Sequence, residues 1–241
     1  MTSKSKPLYK RILLKISGEA LVGSGHEALD AHVLDRIVSE VVEVHRLGVQ
    51  VGIVIGGGNF FRGVTLSKAG ISRISADHMG MLGTLMNAIA MRDSFERMGV
   101  EARVHSAIPM SGMVDHFNYR KAIHNLNESR VVIYAAGTGN PFVTTDTAAS
   151  LRAIETECEV VLKATQVDGI YDKDPRTHKD AKRYKKLTYQ EALVKELAIM
   201  DLSAFCQCRD YNLELRVFNI HKQGSLLRVI TGEDEGTLVT N

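Results

Sequence analysis

Short runs rich in apolar residues, each ending in a glycine turn, alternate along this chain with segments whose apolar residues recur at helical spacing. Arg11 to Ile16 and Gln50 to Ile55 are two such runs. Between them, apolar residues from Asp30 to Leu47 repeat every three or four positions, and Gly48 closes the segment. This order of strand, helix and strand predicts a parallel βαβ unit whose strands are buried on both faces.

The same alternation continues to the end of the sequence and predicts an α/β fold, a mostly parallel sheet with helices on both faces. We predict further strands over 102–106, 131–135, 160–163, 215–218 and 237–239. Helices are predicted over 78–98, 119–126, 146–156, 188–197, 203–211 and 225–230. A capping box at Thr188 and Glu191 opens the fourth of these helices. The polar stretch from Asp168 to Lys186 predicts an exposed loop.

The composition limits the partners that we expect. With 241 residues, 44% of them hydrophobic, the chain can bury one continuous core. Lys and Arg (30) nearly balance Asp and Glu (28), so the charge predicts no nucleic-acid partner. The sequence has neither a signal peptide nor a run of about eighteen apolar residues, and we expect neither export nor a membrane span.

The cysteines indicate the compartment. Cys158, Cys206 and Cys208 are odd in number, which argues against a disulfide framework and favours a reducing compartment, the cytoplasm. Cys206 and Cys208 have no second cysteine pair or histidine cluster near them in the sequence. The sequence therefore predicts no metal site in the chain.

Three glycine-bearing turns follow predicted strands, at Lys15 to Gly18, Gly56 to Asn59 and Gly137 to Asn140. In parallel sheets, ligands collect at the carboxyl ends of the strands, where turns present free backbone N–H groups. Glycine lets the backbone approach a phosphate closely and adopt a positive φ. Each turn alone could be only a tight turn, but three of them favour a polyphosphate ligand.

Two common phosphate-binding motifs do not fit this sequence. A Walker loop requires a Gly-Lys pair, which the chain lacks, and a dinucleotide motif requires a third glycine where Phe61 and Phe142 stand. A phosphate site of another design remains, with Lys15 and Arg62 as its cations. Both also have plainer interpretations, Lys15 as a strand-end lysine with its stem on apolar surface and Arg62 as a surface arginine.

The segment GTGNPFVTTD, from Gly137 to Asp146, is rich in small hydrogen-bonding side chains. Those that carry hydroxyl or amide groups are Thr138, Asn140, Thr144 and Thr145. Asp146 stands where the next helix is predicted to begin, so a plain N-cap is the alternative to a chemical role. Asp77 opens another predicted helix and has the same two interpretations.

Long stretches of the chain carry a family resemblance. They are RILLKISGEAL at 11–21, VGIVIGGGNFFRG at 51–63, DHMGMLGTLMNAIAMRD at 77–93, AAGTGNPFVTTDTAASLRAIE at 135–155 and VVLKATQVDGIYDKDP at 160–175. From about residue 7 to its end, the chain resembles bacterial UMP kinases of the amino-acid-kinase superfamily. The resemblance implies a three-layer α/β/α sandwich with a central, mostly parallel sheet. It implies a single domain over 1–241, with an acceptor lobe at about 7–157 and an ATP lobe at about 158–241.

The activity that the resemblance implies is transfer of the γ-phosphoryl group of ATP to UMP, giving UDP and ADP in pyrimidine nucleotide biosynthesis. Mg²⁺ would arrive with the nucleotide. The attacking phosphate oxygen is already largely ionised at neutral pH, because its second pKa is about 6. A catalytic base is therefore unnecessary, and cations are needed for the charge of the transition state.

The resemblance also implies the contacts of each ligand. ATP would lie with its phosphates on Lys15, Ile16, Ser17, Gly18, Gly58 and Arg62, and with its nucleoside on Thr165, Tyr171 and Asp174. UMP would lie against Gly57, Asp77, Thr138, Gly139, Asn140, Pro141, Phe142, Val143, Thr144 and Thr145. Asp77 would bind ribose hydroxyls. Lys15 and Arg62 would be catalytic cations, and Asp146 would orient catalytic lysines rather than act as a base.

A regulated homohexamer, activated by GTP and inhibited by UTP, is a further implication of the resemblance. The segment associated with the GTP response reads VGSGHEALD at 22–30. His26, Glu27 and Ala28 stand in it where a more glycine-rich or aromatic sequence is expected. Activation by GTP is therefore left open.

Other functions fit part of the same sequence. A superfamily kinase that acts on a carboxylate or carbamate acceptor would share Lys15 and the glycine turns, but has no need of Asp77 for a ribose. A non-catalytic nucleotide binder would bind ATP without turnover, and the joint presence of Lys15, Arg62 and Asp146 argues against it. A nucleic-acid-binding regulator gains little support from a net charge of +2.

Overall fold

A single sheet of nine strands forms the centre of the part of the chain that the computed structural model describes, residues 6–25, 27–61 and 70–241. The strands are β1 (Arg11–Ile16), β2 (Gln50–Ile55), β3 (Ala102–Ser106), β4 (Asp115–His116), β5 (Val131–Ala135), β6 (Val160–Thr165), β7 (Lys186–Thr188), β8 (Glu214–Asn219) and β9 (Thr237–Thr240). Their order across the sheet is β4-β3-β5-β2-β1-β6-β8-β9-β7. All neighbours are parallel except β8 and β9, which are antiparallel.

Helices cover both faces of this sheet. They are α1 (Ala31–His45), α2 (Arg73–Arg97), α3 (Tyr119–Asn127), α4 (Thr145–Glu155), α5 (Tyr189–Val194), α6 (Leu202–Asp210) and α7 (Ser225–Ile230). A short 3₁₀ turn, Gly18–Leu21, follows β1. No helix of the described ranges is both long and apolar enough to cross a membrane.

Side-chain alternation along the central strands produces two separate cores. On β1, Ile12, Leu14 and Ile16 pack with helices α1, α2 and α7, whereas Leu13 packs on the opposite face with α3, α4, α5 and α6. These four side chains are fully buried. Burial of apolar surface is the main favourable term in folding, and a strand buried on both faces stabilises both helical layers at once. The predicted three-layer α/β/α sandwich is confirmed.

The start of helix α2 differs from the prediction. The helix begins at Arg73, and Ser72 caps it by accepting a hydrogen bond from the backbone N–H of Ser75. Asp77 therefore lies in the second turn and is not a cap. Arg73, Ile74 and Ser75 of the first turn are exposed and only Ala76 is buried, so this turn adds little to the apolar periodicity from which the helix was predicted.

Candidate active site

A carboxylate is held between two lysines that lie near the carboxyl ends of neighbouring strands. Strands β1 and β6 are parallel, and their register places Lys15 beside Lys163. Leu13 and Val161, which lie two residues before Lys15 and Lys163, are part of the core under α4. Because side chains alternate along a strand, both lysines point to that same face. Asp146, in the first turn of α4, has Oδ1 at 2.8 Å from Lys15 Nζ and Oδ2 at 2.6 Å from Lys163 Nζ.

This lysine–aspartate–lysine trio is largely removed from water. The exposed fractions are 11% for the side chains of Lys15 and Asp146 and 14% for that of Lys163. Burial raises the pKa of the Asp146 carboxyl, but the charges of the two lysines outweigh it and hold that pKa below its ordinary value. Burial also lowers the pKa of the Lys163 ammonium, and Asp146 opposes that effect. Positive charge in such a place acts strongly on an anion, because little water screens it.

Sequence reasoning assigned no role to Lys163. Strands RILLKI and VVLKAT each carry one lysine near the carboxyl end, which was the available signal. The pairing of β1 with β6 is a contact between distant parts of the chain, and no pattern in the sequence contains it. Only the sheet order shows that the two lysines meet at one carboxylate.

Asp146 also differs from the plain N-cap that was its alternative interpretation. Thr144 is the N-cap of α4, and its Oγ1 accepts from the backbone N–H of Asp146 at 3.1 Å. The carboxylate of Asp146 is thus free to pair with the lysines rather than with the helix end.

A cleft of about 250 Å³ lies between the glycine turn after β2, the first turns of α2 and the loop after β5. Of the residues that the resemblance assigns to UMP, Gly57, Asp77, Thr138, Asn140, Val143, Thr144 and Thr145 line it. The other members of that set, Gly139, Pro141 and Phe142, belong to the same loop but do not line the cleft. Arg73 and Thr84, for which no role was predicted, are part of its wall. We call this space the acceptor cleft.

The loop after β5, residues 136–144, is held in an unusual backbone conformation by helix α2. Its left-handed residues are Ala136 (φ 61°), Gly137 (φ 57°), Gly139 (φ 80°) and Phe142 (φ 68°). Glycine adopts such angles without strain, but alanine and phenylalanine do not. The backbone N–H of Ala136 donates to Thr84 Oγ1 at 2.7 Å, and that of Phe142 donates to Asp77 Oδ2 at 2.8 Å. Both acceptors are on α2, so this helix fixes the loop.

A second carboxylate, Asp201, joins the end of this loop to helix α6. Asp201 caps α6 by accepting from the backbone N–H of Ala204 at 2.9 Å. It also accepts hydrogen bonds from the hydroxyls of Thr144 and Thr147, the latter at 2.9 Å. Burial raises the pKa of Asp201, but these hydrogen bonds outweigh it and lower that pKa. Because Thr144 caps α4, Asp201 links the cleft to the helix that carries Asp146.

The turns after β1 and β2 pack directly against each other. The side-chain amides of Asn59 and Asn87 pair at 2.8 and 3.0 Å, and Asn87 Nδ2 donates to the carbonyl oxygen of Gly56 at 2.8 Å. A Cβ at Gly18 would overlap Asn59 Oδ1 and lie 2.7 Å from the same carbonyl oxygen. Glycine at position 18 is therefore required by packing, whatever ligand the turn receives.

Two adjoining cavities lie beside the two lysines of the trio. The first, of about 350 Å³, has Lys15, Ser17 and Lys163 in its wall. The second, of about 470 Å³, is lined by Tyr171 and Asp174. The residues common to both walls are Thr165, Val167 and Arg176. The three residues predicted to contact the ATP nucleoside, Thr165, Tyr171 and Asp174, thus line the second cavity. Of the residues predicted to contact the ATP phosphates, Lys15 and Ser17 line the first.

Some predicted ATP contacts lie elsewhere. The Ile16 side chain is fully buried, so only its backbone is near the turn. Gly58 lines the acceptor cleft. Arg62 lies outside the described residues. Within the described ranges, no group of three or more His, Cys, Asp or Glu side chains is arranged to hold a metal ion.

Comparison with known proteins identifies the family. The model of the amino acid kinase family matches residues 10–219. The chain belongs to the amino acid kinase family. Within this family it is 64% identical over 239 residues to a uridylate kinase of Coxiella burnetii, covering 99% of this chain and 98% of that one. It is 58% identical over 240 residues to a uridylate kinase of Sodalis glossinidius, covering 100% of both chains.

Solved structures of the same family have the same fold. The crystal structure of a UMP kinase from Bacillus anthracis matches with a TM-score of 0.94 and 39% identity, over 96% of each chain. That of a UMP kinase from Ureaplasma parvum matches with a TM-score of 0.92 and 32% identity, over 96% of this chain and 99% of that one. The resemblance to UMP kinases within the amino acid kinase family is confirmed.

Proposed function

We propose that this chain transfers the γ-phosphoryl group of ATP to UMP and releases UDP and ADP. The observation that carries the proposal is the trio of Lys15, Asp146 and Lys163, whose two lysines line the cavity that also contains the predicted phosphate contact Ser17. Thr144 and Thr145 of the acceptor cleft directly precede Asp146 in the chain. The uridylate kinase names of relatives over the full chain support UMP as the acceptor and ATP as the donor.

The reaction needs positive charge more than it needs a base. A phosphate oxygen of UMP attacks the γ-phosphorus of ATP, the new O–P bond forms, and the bond to the β-phosphate oxygen breaks with its electron pair leaving on ADP. The transferred group passes through a loose transition state with charge on its oxygens. We assign Lys15 and Lys163 to those oxygens, with Mg²⁺ entering as part of the ATP substrate.

Asp146 then acts as a positioning residue. Both of its carboxylate oxygens are within 2.8 Å of a lysine Nζ, so it sets the separation and direction of the two ammonium groups. It also offsets their mutual repulsion, which is strong where water is scarce. Preorganised charges of this kind do not have to reorient as the reaction proceeds.

The first test compares UMP, CMP and acetylglutamate as acceptors, with ATP and Mg²⁺, in a coupled assay for ADP release. We expect turnover with UMP. Absence of turnover with all three acceptors, in folded protein that binds ATP, would favour the non-catalytic binder. Turnover with acetylglutamate alone would favour the carboxylate kinase.

The roles of the lysines are tested by Lys15→Ala and Lys163→Ala. Each should lower kcat by about 100-fold or more, because a preorganised charge at the transition state is lost, and should change KM for UMP much less. Lys10→Ala is the matched control, since Lys10 is exposed and precedes the other end of β1. A near-native kcat in a well-folded Lys15→Ala or Lys163→Ala variant would remove that lysine from the mechanism.

The remaining features stay predictions of the sequence and of the family resemblance. They are the homohexamer, activation by GTP, inhibition by UTP, the cytoplasmic location and the division into an acceptor lobe and an ATP lobe. Sedimentation of the purified chain tests the hexamer. Titration with GTP and UTP in the ADP assay tests the regulation. His26, in the segment associated with the GTP response, lies outside the described residues.

A further inference from the structure

Arg73 forms part of the acceptor cleft and binds the carboxylate predicted to contact the ribose. It is the first residue of α2, and its Nε lies 2.9 Å from both Oδ1 and Oδ2 of Asp77, one helical turn further on. The Asp77 side chain is 12% exposed and that of Arg73 is 44% exposed. The guanidinium is thus the more exposed partner of this ion pair.

The same arginine reaches the loop on the far wall. Its Cζ lies 5.8 Å from the centre of the Phe142 ring, and the backbone N–H of Phe142 donates to Asp77 Oδ2. Phe142 has a left-handed backbone and is 63% exposed, an arrangement that a bulky residue keeps only when its surroundings hold it. Arg73, Asp77 and Phe142 therefore form a bridge from α2 to the loop after β5.

The bridge leaves a hydrogen-bond acceptor site of Asp77 open to a ligand. A carboxylate offers about four lone-pair sites, two on each oxygen. On Asp77, Oδ2 accepts from Phe142 and Arg73, whereas Oδ1 accepts from Arg73 alone. One site on Oδ1 remains, which suits a single strong hydrogen bond from a sugar hydroxyl in the cleft.

Arg73 also compensates the negative charge of Asp77. A nucleoside monophosphate is an anion, and an isolated carboxylate in its cleft would repel it. The ion pair with Arg73 compensates the charge of Asp77 without using the free site on Oδ1. Without Arg73, the Asp77 carboxylate would keep only the hydrogen bond from the Phe142 N–H to hold its direction, and its uncompensated charge would oppose binding of the acceptor.

We propose that Arg73 is a positioning residue that aims Asp77 at a ribose hydroxyl of the acceptor and so sets the preference of the chain for a ribonucleotide. This inference rests on the proposed function and names a determinant of acceptor specificity within it.

The test is a double-mutant cycle with Arg73→Ala, Asp77→Asn and the combination of both. UMP is compared with its 2′-deoxy and 3′-deoxy analogues in the ADP assay. Arg73→Ala should raise KM for UMP about ten-fold or more, the cost of a lost hydrogen bond to a charged group, and leave kcat and KM for ATP nearly native. Its preference for UMP over at least one analogue should fall by a similar factor.

Because Arg73 acts through Asp77, the combined variant should be little worse than Asp77→Asn alone. Arg97→Ala is the matched control. Arg97 is also on α2 and also pairs with an aspartate four residues away, Asp93, but at the far end of the helix. It should leave all of these constants unchanged. Arg73→Gln serves in place of Arg73→Ala if the latter does not fold.

Two results would overturn the inference. One is a native KM and a native preference among the three acceptors in folded Arg73→Ala or Arg73→Gln. The other is a combined variant whose effect is the product of the two single effects. The unmutated protein tells this failure apart from failure of the proposed function. If it shows no turnover with UMP, the proposed function is wrong as well.

Discussion

Gly57 and Gly58 are neighbours in one turn, yet a side chain meets very different surroundings at the two positions. A Cβ on Gly57 would overlap the carbonyl oxygen of Gly80 and lie 2.8 Å from the backbone nitrogen of Thr84, both in helix α2. A Cβ on Gly58 would find its nearest neighbour, Glu19 Oε1, at 3.4 Å. The first glycine is thus required by the packing of α2, and the second is not.

At the residue scale we therefore expect Gly57→Ala and Gly58→Ala to fail in different ways. Gly57→Ala should lower the free energy of unfolding by about 3 kcal/mol, because backbone cannot move aside as a flexible side chain can. Gly58→Ala should keep nearly native stability but raise KM for UMP, because Gly58 lines the acceptor cleft and its missing side chain lets a ligand approach the backbone closely. Urea unfolding and steady-state kinetics separate the two effects, and equal stability losses would contradict the assignment.

The two lysines of the trio show how far single residues could be predicted. Lys15 stands before a glycine turn in a strongly apolar strand, so its pattern drew attention. Lys163 lacks a following glycine turn, and its role depends on the pairing of β1 with β6. The pairing of Asp77 with Arg73 was equally hidden, because the predicted helix began after Arg73.

At the scale of elements, helix caps tie the acceptor cleft to the C-terminal helices. Asp201 caps α6 and accepts from Thr144, which itself caps α4. Asn118 caps α3, a helix of 9 residues like α6, by accepting from the backbone N–H of Lys121. The Asp201 side chain therefore contacts both its helix and the wall of the cleft, whereas the described contact of the Asn118 side chain is with its own helix.

We expect Asp201→Ala and Asn118→Ala to differ in function more than in stability. Each should lower the free energy of unfolding by about 1 kcal/mol through loss of the cap. Asp201→Ala should also raise KM for UMP, because Thr144 and Thr147 lose their common acceptor, whereas Asn118→Ala should not. An unchanged KM for UMP in Asp201→Ala would show that this network supports the fold alone.

Most elements could be read from the sequence because burial on both faces leaves a strong apolar signal. The predicted bounds of β1, β2, β3 and β5 agree with the structure to the residue. The short strands β4 and β7 were missed, since each lies at an edge of the sheet and pairs with one neighbour. The capping box at Thr188 and Glu191 is confirmed, but α5 ends at Val194, three residues earlier than predicted.

At the scale of the whole molecule, the parallel sheet brings distant segments to one edge. The strands that precede the glycine turns and the strand that carries Lys163 occupy the order β5-β2-β1-β6. Their carboxyl ends meet because all of these pairs are parallel. Alternation in the sequence predicted the parallel sheet, but its strand order depends on contacts between distant segments, which no local pattern records.

The trio at this edge also stabilises the whole fold, and this contribution should make the free energy of unfolding depend on pH. The pKa of Asp146 is lower in the folded chain than in the unfolded one, so its carboxylate stabilises the fold above the unfolded pKa, about 3.9. That contribution is lost as the pH falls through the folded value. In Asp146→Asn the amide does not titrate, and two buried lysines lack their counter-charge.

We therefore expect native protein to exceed Asp146→Asn in free energy of unfolding by about 3 kcal/mol at neutral pH. The difference should stay constant down to about pH 5 and shrink as the pH falls below the unfolded pKa. Burial raises the pKa of Glu40, and the effect of this group on stability is the same in both proteins, so it cancels in the comparison. Urea unfolding of both proteins at several pH values from 7 to about 3 measures the difference in free energy of unfolding. A difference that stays constant down to the lowest pH would mean that the carboxylate charge between the lysines does not stabilise the fold.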